Sequence, residues 1–249
     1  MRNRTRIRVD LWRVTGRAGR WYRPVALGLS VLILGVGMAL FKVVLEGPFG
    51  SYWALDLAHY LDGARRFLAT GNPYLPSEIA GPFAYQPETF LHPPISLYLF
   101  LPFLVLPLPL WWAIPLGVTG WCIWSWRPAA WTWPFLAAAV AFPRFQGALI
   151  LGNSDLWVLA GVAAGLRWGW PALVILAKPT LPFLMLAGAW RREWWIGLGA
   201  LAAASLPAPW LWVDWVRVMA NSPGDLGYSL YGLPYLVVPV VAWWARERA

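Results

Sequence analysis

The sequence predicts an all-α, polytopic integral membrane protein, on three observations. Hydrophobic residues make up 59% of the 249 positions and charged ones 12%, where a soluble domain carries about a quarter of its residues charged. Mean hydropathy is positive, at +0.54. The formal charge of +9 is concentrated at one end, where residues 1–23 hold eight Arg against the single acid Asp10. At about 20 residues per crossing, the chain has room for roughly seven to nine spans. The expected architecture is a single integral domain over 1–249, with about eight transmembrane helices and both termini cytoplasmic.

The first element is the basic segment 1–23. A block of Arg directly before an apolar run is the positive-inside signal and also attracts anionic headgroups. It accounts for the net charge without nucleic acid, which is not expected as a partner. Val25 to Leu45 is then an apolar run with no small-residue cleavage site before Glu46, so it predicts a retained helix and not a removed signal. Lys42 near its far end is placed to snorkel. The segment 46–93 is the longest gap between apolar runs and is the first outer loop, the best place for function. Spans are expected near 94–108, 109–126, 129–143, 153–167, 169–190, 194–209 and 231–245, many of them interrupted by Pro and therefore packed against neighbours that satisfy the freed backbone. Arg191 and Arg192, then Arg246 and Arg248, suit cytoplasmic turns and make 210–230 a second outer loop facing the first. Arg127, Arg144 and Arg167 do not fix the register between them. The 21 Trp and nine Tyr fit interfacial anchoring.

The first outer loop contains LDLAHYLDGARRFLATGNPY, Leu55 to Tyr74. Apolar residues at Trp53, Leu57, Tyr60, Leu61, Ala64, Phe67 and Leu68 follow helical spacing, and Asp56, His59, Gly63 and Arg66 share the other side. Gly71 and Asn72, with Pro73 beyond, end the helix. This predicts an amphipathic helix lying on the outer membrane surface. Asp62 has Arg65 and Arg66 three and four residues on, so a surface ion pair accounts for it. Asp56 has no cation at those positions. Two readings fit it: a general base that takes a proton from a hydroxyl, or an acid placed to favour the positive end of its helix.

Cys122 is the only cysteine and there are two His with no HExxH, so Cys-based and His-rich metal sites are not expected. No metal and no cofactor is assigned. There is no P-loop, GxGxxG, GxSxG or Asp-x-Asp pair, so a soluble nucleotide donor has no support. A lipid-borne donor is the economical alternative at an outer face.

The pattern Asp56, Tyr60, Gly71, Tyr74, followed by FAYQP and HPP before a membrane helix, resembles the first outer loop of the GT-C superfamily. It is most similar to glycosyltransferase family 87, the polyprenyl-phosphate-mannose-dependent mannosyltransferases and their relatives. FPRFQGALILGNSDLWVLAGVAAGL and ILAKPTLPFLMLAGAWRREWW resemble two later regions of that family in the same order, covering most of residues 50–200. Two departures stand out. Gly152, Asn153, Ser154, Asp155 replaces the family's Gly-Gln-x-Asn, and the chain is shorter than the family's usual length.

The resemblance implies inverting transfer of a sugar, mannose first, from a polyprenyl phosphate to an acceptor hydroxyl on a lipid or glycan, with Asp56 as base. A lipid phosphate leaving group needs cations. Lys178, Arg66 and Arg144 are the donor-phosphate candidates. Arg217 also lies in an outer loop, where Asp214 three residues earlier supplies a local ion pair. Lys178 sits among apolar residues, which marks either a functional site or a snorkelling side chain, and Asp155 is placed to pair with one of these cations. Removing the Lys178 charge is expected to leave the protein folded. Tyr60, Tyr74, Tyr85 and His92 are the candidates for sugar or acceptor binding, or interfacial anchors. The alternatives to an enzyme are a non-catalytic polyprenyl-phosphate binding or transport protein, which has no need of Asp56, and a small membrane scaffold.

Overall fold

The computed structural model describes residues 17–47, 52–86, 88–178, 181–223 and 231–246, with side chains from residue 21 onward. The basic segment 1–23 lies largely outside them. Among the described residues all regular elements are helical, and one isolated antiparallel bridge joins Pro128 to Arg246.

Helix α1 (Arg17–Glu46) matches the first apolar run. Trp21–Glu46 is long and apolar enough to cross a membrane, and only 11% of its most apolar window is buried inside the chain. A helix that is apolar all round and this bare requires an apolar surrounding. It lies along the later helix Trp133–Ala141, and Gln146 Nε2 donates to Gly37 O at 2.9 Å.

Helix α2 (Leu55–Thr70) is the loop helix the spacing predicts. It stops at Gly71, whose left-handed φ of 77° is the conformation glycine takes without a Cβ penalty, and whose N–H closes on Phe67 O. Its start is later than Trp53: Ala54 adopts φ 60°, its N–H donates to Ile150 O at 2.8 Å, and Trp53 turns away to stack on Trp112. The division into faces also differs from the helical wheel. Leu68 is exposed, while Gly63, assigned to the polar side, is buried under the Phe90 ring. The loop that follows folds back over that side, so α2 is covered on two faces.

After α3 (Pro76–Ala80) the expected span at 94–108 is a chain of short turns: a 3₁₀ turn at Pro94–Ser96, α4 (Leu97–Phe100), and another 3₁₀ turn at Leu101–Leu104. These are followed by α5 (Leu110–Trp126), α6 (Trp133–Ala141), α7 (Pro143–Leu151) and α8 (Asp155–Trp168). Eleven of the fourteen residues of α8 are buried, which makes it the central helix. The region expected to span at 169–190 is two 3₁₀ stretches, Trp170–Ala177 and Pro182–Leu186, broken at Lys178. Pro171, Pro179 and Pro182 each remove a backbone donor there. The chain closes with α9 (Arg192–Ser205), α10 (Pro209–Asn221), α11 (Leu233–Leu236) and α12 (Val238–Trp244).

By length and composition, one helix among the described residues suffices to cross a membrane. The number rises to three if the bent pairs α6–α7 (53°) and α9–α10 (94°) each count as one crossing. The segment expected as the second outer loop therefore contains a helix: the sharp bend swings α10 across the segment expected as the first. Asn72 Nδ2 donates to Asp214 Oδ2, Asn221 Nδ2 to Glu78 O and Ile79 O, and Trp215 Nε1 to Leu91 O, all between 2.9 and 3.1 Å. The described parts of the two segments are therefore in contact.

Helix direction shows at which end of the bundle each arginine stands. The C-terminal end of α5 meets the C-terminal end of α8 through Arg167 and Ser125, Ala129 N–H donates to Ala245 O, and Gly169 abuts Arg191. Arg127, Arg167, Arg191 and Arg246 therefore gather at one end of the bundle, with Arg23 lining the same region. Arg144 is the exception. It sits at the start of α7, beyond the bend, within electrostatic reach of the Tyr235 hydroxyl.

Candidate functional site

At the opposite end, five places in the chain bring polar side chains against one another. The first turn of α2 supplies Asp56 and the turn between α7 and α8 supplies Asn153. The first turn of α8 supplies Asp155, the break after Ala177 supplies Lys178, and α11 supplies Tyr235. Gly152 makes the turn possible with φ 65°, a cap for α7 that leaves Leu57 and Trp112 close above it. Trp111 Nε1 donates to Gly152 O and Trp112 Nε1 to Leu149 O, both at 2.8 Å, so two indoles pin the turn from α5.

Asn153 is the centre of this cluster. Its Nδ2 donates to Asp56 Oδ2 at 2.5 Å, and its Oδ1 accepts from Lys178 Nζ and from the Asp155 N–H, each at 2.9 Å. Two donors on the oxygen and a carboxylate on the nitrogen fix the orientation of the amide. Lys178 Nζ also lies 2.6 Å from Asp155 Oδ1, and Tyr235 OH donates to Asp155 Oδ2 at 2.8 Å. The side chains of the ion pair are 15% and 3% exposed, so each charge depends on the other. Among the described residues Lys178 hydrogen-bonds Asn153 and pairs with Asp155, which engages at most two of its three N–H donors and leaves at least one to point elsewhere.

Among the described residues, Asp56 has this amide as its hydrogen-bond donor and no cation in direct contact. Burial raises its carboxyl above the usual carboxylate value. The Asn153 hydrogen bond, Lys178 and His59 pull against that, and Asp155 adds to it. Asp56 also sits in the first turn of α2, so both sequence readings describe its position.

The other predicted site residues divide sharply. Tyr60 is buried, its ring stacked on Phe100 at 4.7 Å and edge-on to His92 at 4.6 Å, and its hydroxyl accepts the Ser154 N–H at 3.4 Å. Burial first, then the neighbouring Asp56, holds its phenol well above the ordinary value. Tyr74 is buried as well, donating to His92 O at 2.8 Å, and burial raises its phenol too. His92 Nδ1 is 2.9 Å from Ala177 O; a carbonyl only accepts, so Nδ1 carries the proton. Burial pushes the His92 ring down to about 4. Tyr60 lies beside Asp56 and packs on His92, which positions Ala177, the residue before Lys178, whereas Tyr74 stands beyond the far end of α2 and is not brought to Asp56.

Arg66 and Tyr85 are not brought to Asp56, and Arg144 approaches the cluster from the Tyr235 side, within electrostatic reach of that hydroxyl. Arg66 lies ten residues along α2, about 15 Å away at helical rise. Its NH1 donates to Pro73 O at 2.6 Å and its NH2 to Glu88 O at 2.8 Å, which clamps the loop. Asp62 pairs with Arg65 at 2.5 Å, as its spacing predicts. Arg217 pairs with Asp214 at 3.5 Å. Tyr85 is exposed and bridges to Ser222 at 3.2 Å across the two loops. Asn153 and Tyr235 are the residues that sequence reasoning misses. The signal for Asn153 was present, an amide flanked by Gly and Ser between two apolar runs. Tyr235 was one aromatic among many.

Beside this cluster an apolar cavity of about 780 Å³ runs between α5, α8, the 170–177 stretch and α9. Ile95 and Ala177 line its end next to His92 and Lys178, and Trp168 and Trp170 line its other end. Among the described residues no three His, Cys, Asp or Glu side chains converge as metal ligands. No family model, curated protein or solved structure matches the chain.

Proposed function

We propose that the chain is a multi-pass cell-membrane protein of eight crossings, several of them broken, with both termini cytoplasmic and the Asp56 end outside. It moves a sugar, mannose first, from a polyprenyl phosphate to an acceptor hydroxyl. The acceptor oxygen attacks the anomeric carbon as its proton passes to Asp56, the bond from that carbon to the phosphate oxygen breaks, and polyprenyl phosphate leaves.

The observation that carries this reading is how Asp56 is held. A base must keep its affinity for a proton, and a direct lysine pair would remove it. Here the neutral amide of Asn153 holds Oδ2, Lys178 is engaged one step away with Asp155, and burial raises the carboxyl. No described donor engages Oδ1. Lys178, with one N–H to spare, is the cation nearest Asp56 and the one suited to the phosphate. The apolar cavity that begins at Ala177 has the chemistry of a polyprenyl tail. The gathering of arginines at the far end supports the orientation.

The test is transfer by purified protein from radiolabelled polyprenyl-phosphate mannose to a lipid extract. Wild type is expected to label the extract, and Asp56→Asn to lose at least about a hundredfold in rate with donor binding retained. The second reading, a non-catalytic carrier of polyprenyl phosphates, is favoured by one observation: the spare Lys178 donor and the apolar cavity suffice for it without Asp56. In that case neither protein labels the extract, and both bind the lipid equally.

A further inference from the structure

At the end of the bundle away from Asp56, a second cavity of about 670 Å³ opens between α1 and the turn from α5 to α6. It is lined by Arg23, Ala26 and Leu27 of α1, and by Trp124, Arg127 and Trp133 on the other side, and among the described residues none of its walls is acidic. The 17 residues of α5 separate it from the Asp56 cluster by about 25 Å.

Arg127 is the unusual residue here. It caps α5 with φ 47° and ψ 63°, a left-handed conformation normally taken by glycine at the end of a helix. The following residue is Pro128, which further disfavours helical geometry in the residue before it. Among the described residues only Ala54 shares a positive φ without being glycine. The turn is held by its surroundings: Arg127 N–H closes on Trp124 O, Ala129 N–H donates to Ala245 O, and Pro128 bridges to Arg246. Glycine at 127 would relieve the backbone, yet arginine stands there with its side chain lining the cavity. Strain kept at a position that a smaller residue would relax points to a role for that side chain.

We propose that this cavity binds an anionic glycerophospholipid, with the headgroup phosphodiester between Arg23 and Arg127 and an acyl chain along Ala26, Leu27, Trp124 and Trp133. The planar guanidinium fork matches phosphate oxygens bidentately. Basic pockets between membrane helices on the cytoplasmic side take phosphate headgroups. The apolar walls select a lipid over a free phosphate, which gains nothing from Leu27 or the two indoles. The site is independent of the proposed transfer and of Asp56.

The test uses the full chain in nanodiscs that contain spin-labelled phosphatidylglycerol or spin-labelled phosphatidylcholine, measuring the immobilised lipid fraction at 150 mM salt, where screening falls within about 8 Å. Wild type is expected to prefer phosphatidylglycerol, and Arg127→Gly to lose about fivefold of that preference. Its thermal midpoint should be unchanged or raised, because glycine relieves the left-handed turn. Arg167→Ala removes an equal charge from the same end but outside the cavity, and should leave the preference unchanged. Arg23→Gln repeats the test from the other wall should Arg127→Gly fail to fold. Wild-type preference in Arg127→Gly, or in Arg23→Gln, overturns the proposal. An equal loss in Arg167→Ala reduces it to general surface charge and overturns it too. Displacement of the labelled lipid by millimolar glycerol phosphate would make the ligand a soluble phosphate and overturn the lipid assignment.

Discussion

The two ends of α8 solve the same electrostatic problem in opposite ways. An acid, Asp155, stands in its first turn and a base, Arg167, in its last, each the sign favoured by the helix dipole there. At the first turn the charge is sealed in: Asp155 is held by Lys178 and Tyr235, and through Asn153 the chain of contacts reaches Asp56. At the last turn the charge is open: Arg167 lies 4.3 Å over the Trp121 ring and 5.4 Å from that of Trp168, and donates to Ser125 at the surface. A buried pair fails when either partner is removed, whereas an exposed cation over indoles is a local contact. Burial, more than the sign of the charge, separates a site from an anchor.

The largest expected effect follows from the sealed end. Lys178→Met leaves Asp155 buried without its cation and should destabilise by about 3–5 kcal/mol in thermal or denaturant unfolding. The sequence alone leads to the opposite expectation, a fold untouched by loss of the Lys178 charge, and the buried Asp155 partner is the reason for the difference. Adding Asp155→Asn to it should restore most of the loss, since Tyr235 can still donate to the amide oxygen. A Lys178→Met protein as stable as wild type breaks the comparison.

Next is Asp56→Asn, at least about a hundredfold in transfer rate, or about 3 kcal/mol, with no loss of stability. The sign follows from its raised carboxyl. Such a group contributes stability at low pH and loses it as pH rises through the raised value, so the neutral amide should melt as high as wild type, or higher, at neutral pH. In wild type the rate should fall on acidification at a pH above that of an exposed Asp. Coincident loss of rate and fold would make Asp56 a structural residue.

His92 sharpens the contrast through pH. Its ring is held near 4, against 6.5 when unfolded, so its contribution is complete above 6.5 and is lost as pH falls from there through about 4. Stability should drop across that window by about 3 kcal/mol, read as a falling thermal midpoint, and His92→Gln should flatten the drop. Arg66→Ala, losing two bonds to the Pro73 and Glu88 carbonyls, should cost about 1–2 kcal/mol and loosen the loop to proteolysis without a change in rate per folded molecule. Smallest is Arg167→Ala at the open end, about 0.5–1 kcal/mol by the same unfolding assay. A larger loss there would show that both ends are sealed.

Local signals are legible in the chain. Gly71 stops α2 where it stands, Asp62 takes the cation three residues on, and the apolar run of α1 becomes the long bare helix, because each depends on neighbours within a turn or two. Periodicity fails where a second surface arrives. The wheel places Gly63 on a polar face, and the loop carrying Phe90 covers it; it places Leu68 on the buried face, and nothing in the described chain covers that. Arg66 reads as a phosphate cation because its carbonyl partners, seven and 22 residues away, leave no mark in local spacing.

Composition and charge order by themselves determine an all-helical chain with one long apolar helix and two polar loops that meet, since solvent preference and helix caps act over short stretches of sequence. Tertiary structure alone decides which polar residues share a site. Asp56 and Asn153 are 97 positions apart, Lys178 is 25 further on, and Tyr235 reaches Asp155 across 80. Their contact depends on the broken turns at Gly152 and Lys178 and on the direction of α8. A buried charge accepts whichever partner the packing delivers, and packing is set by the whole chain at once.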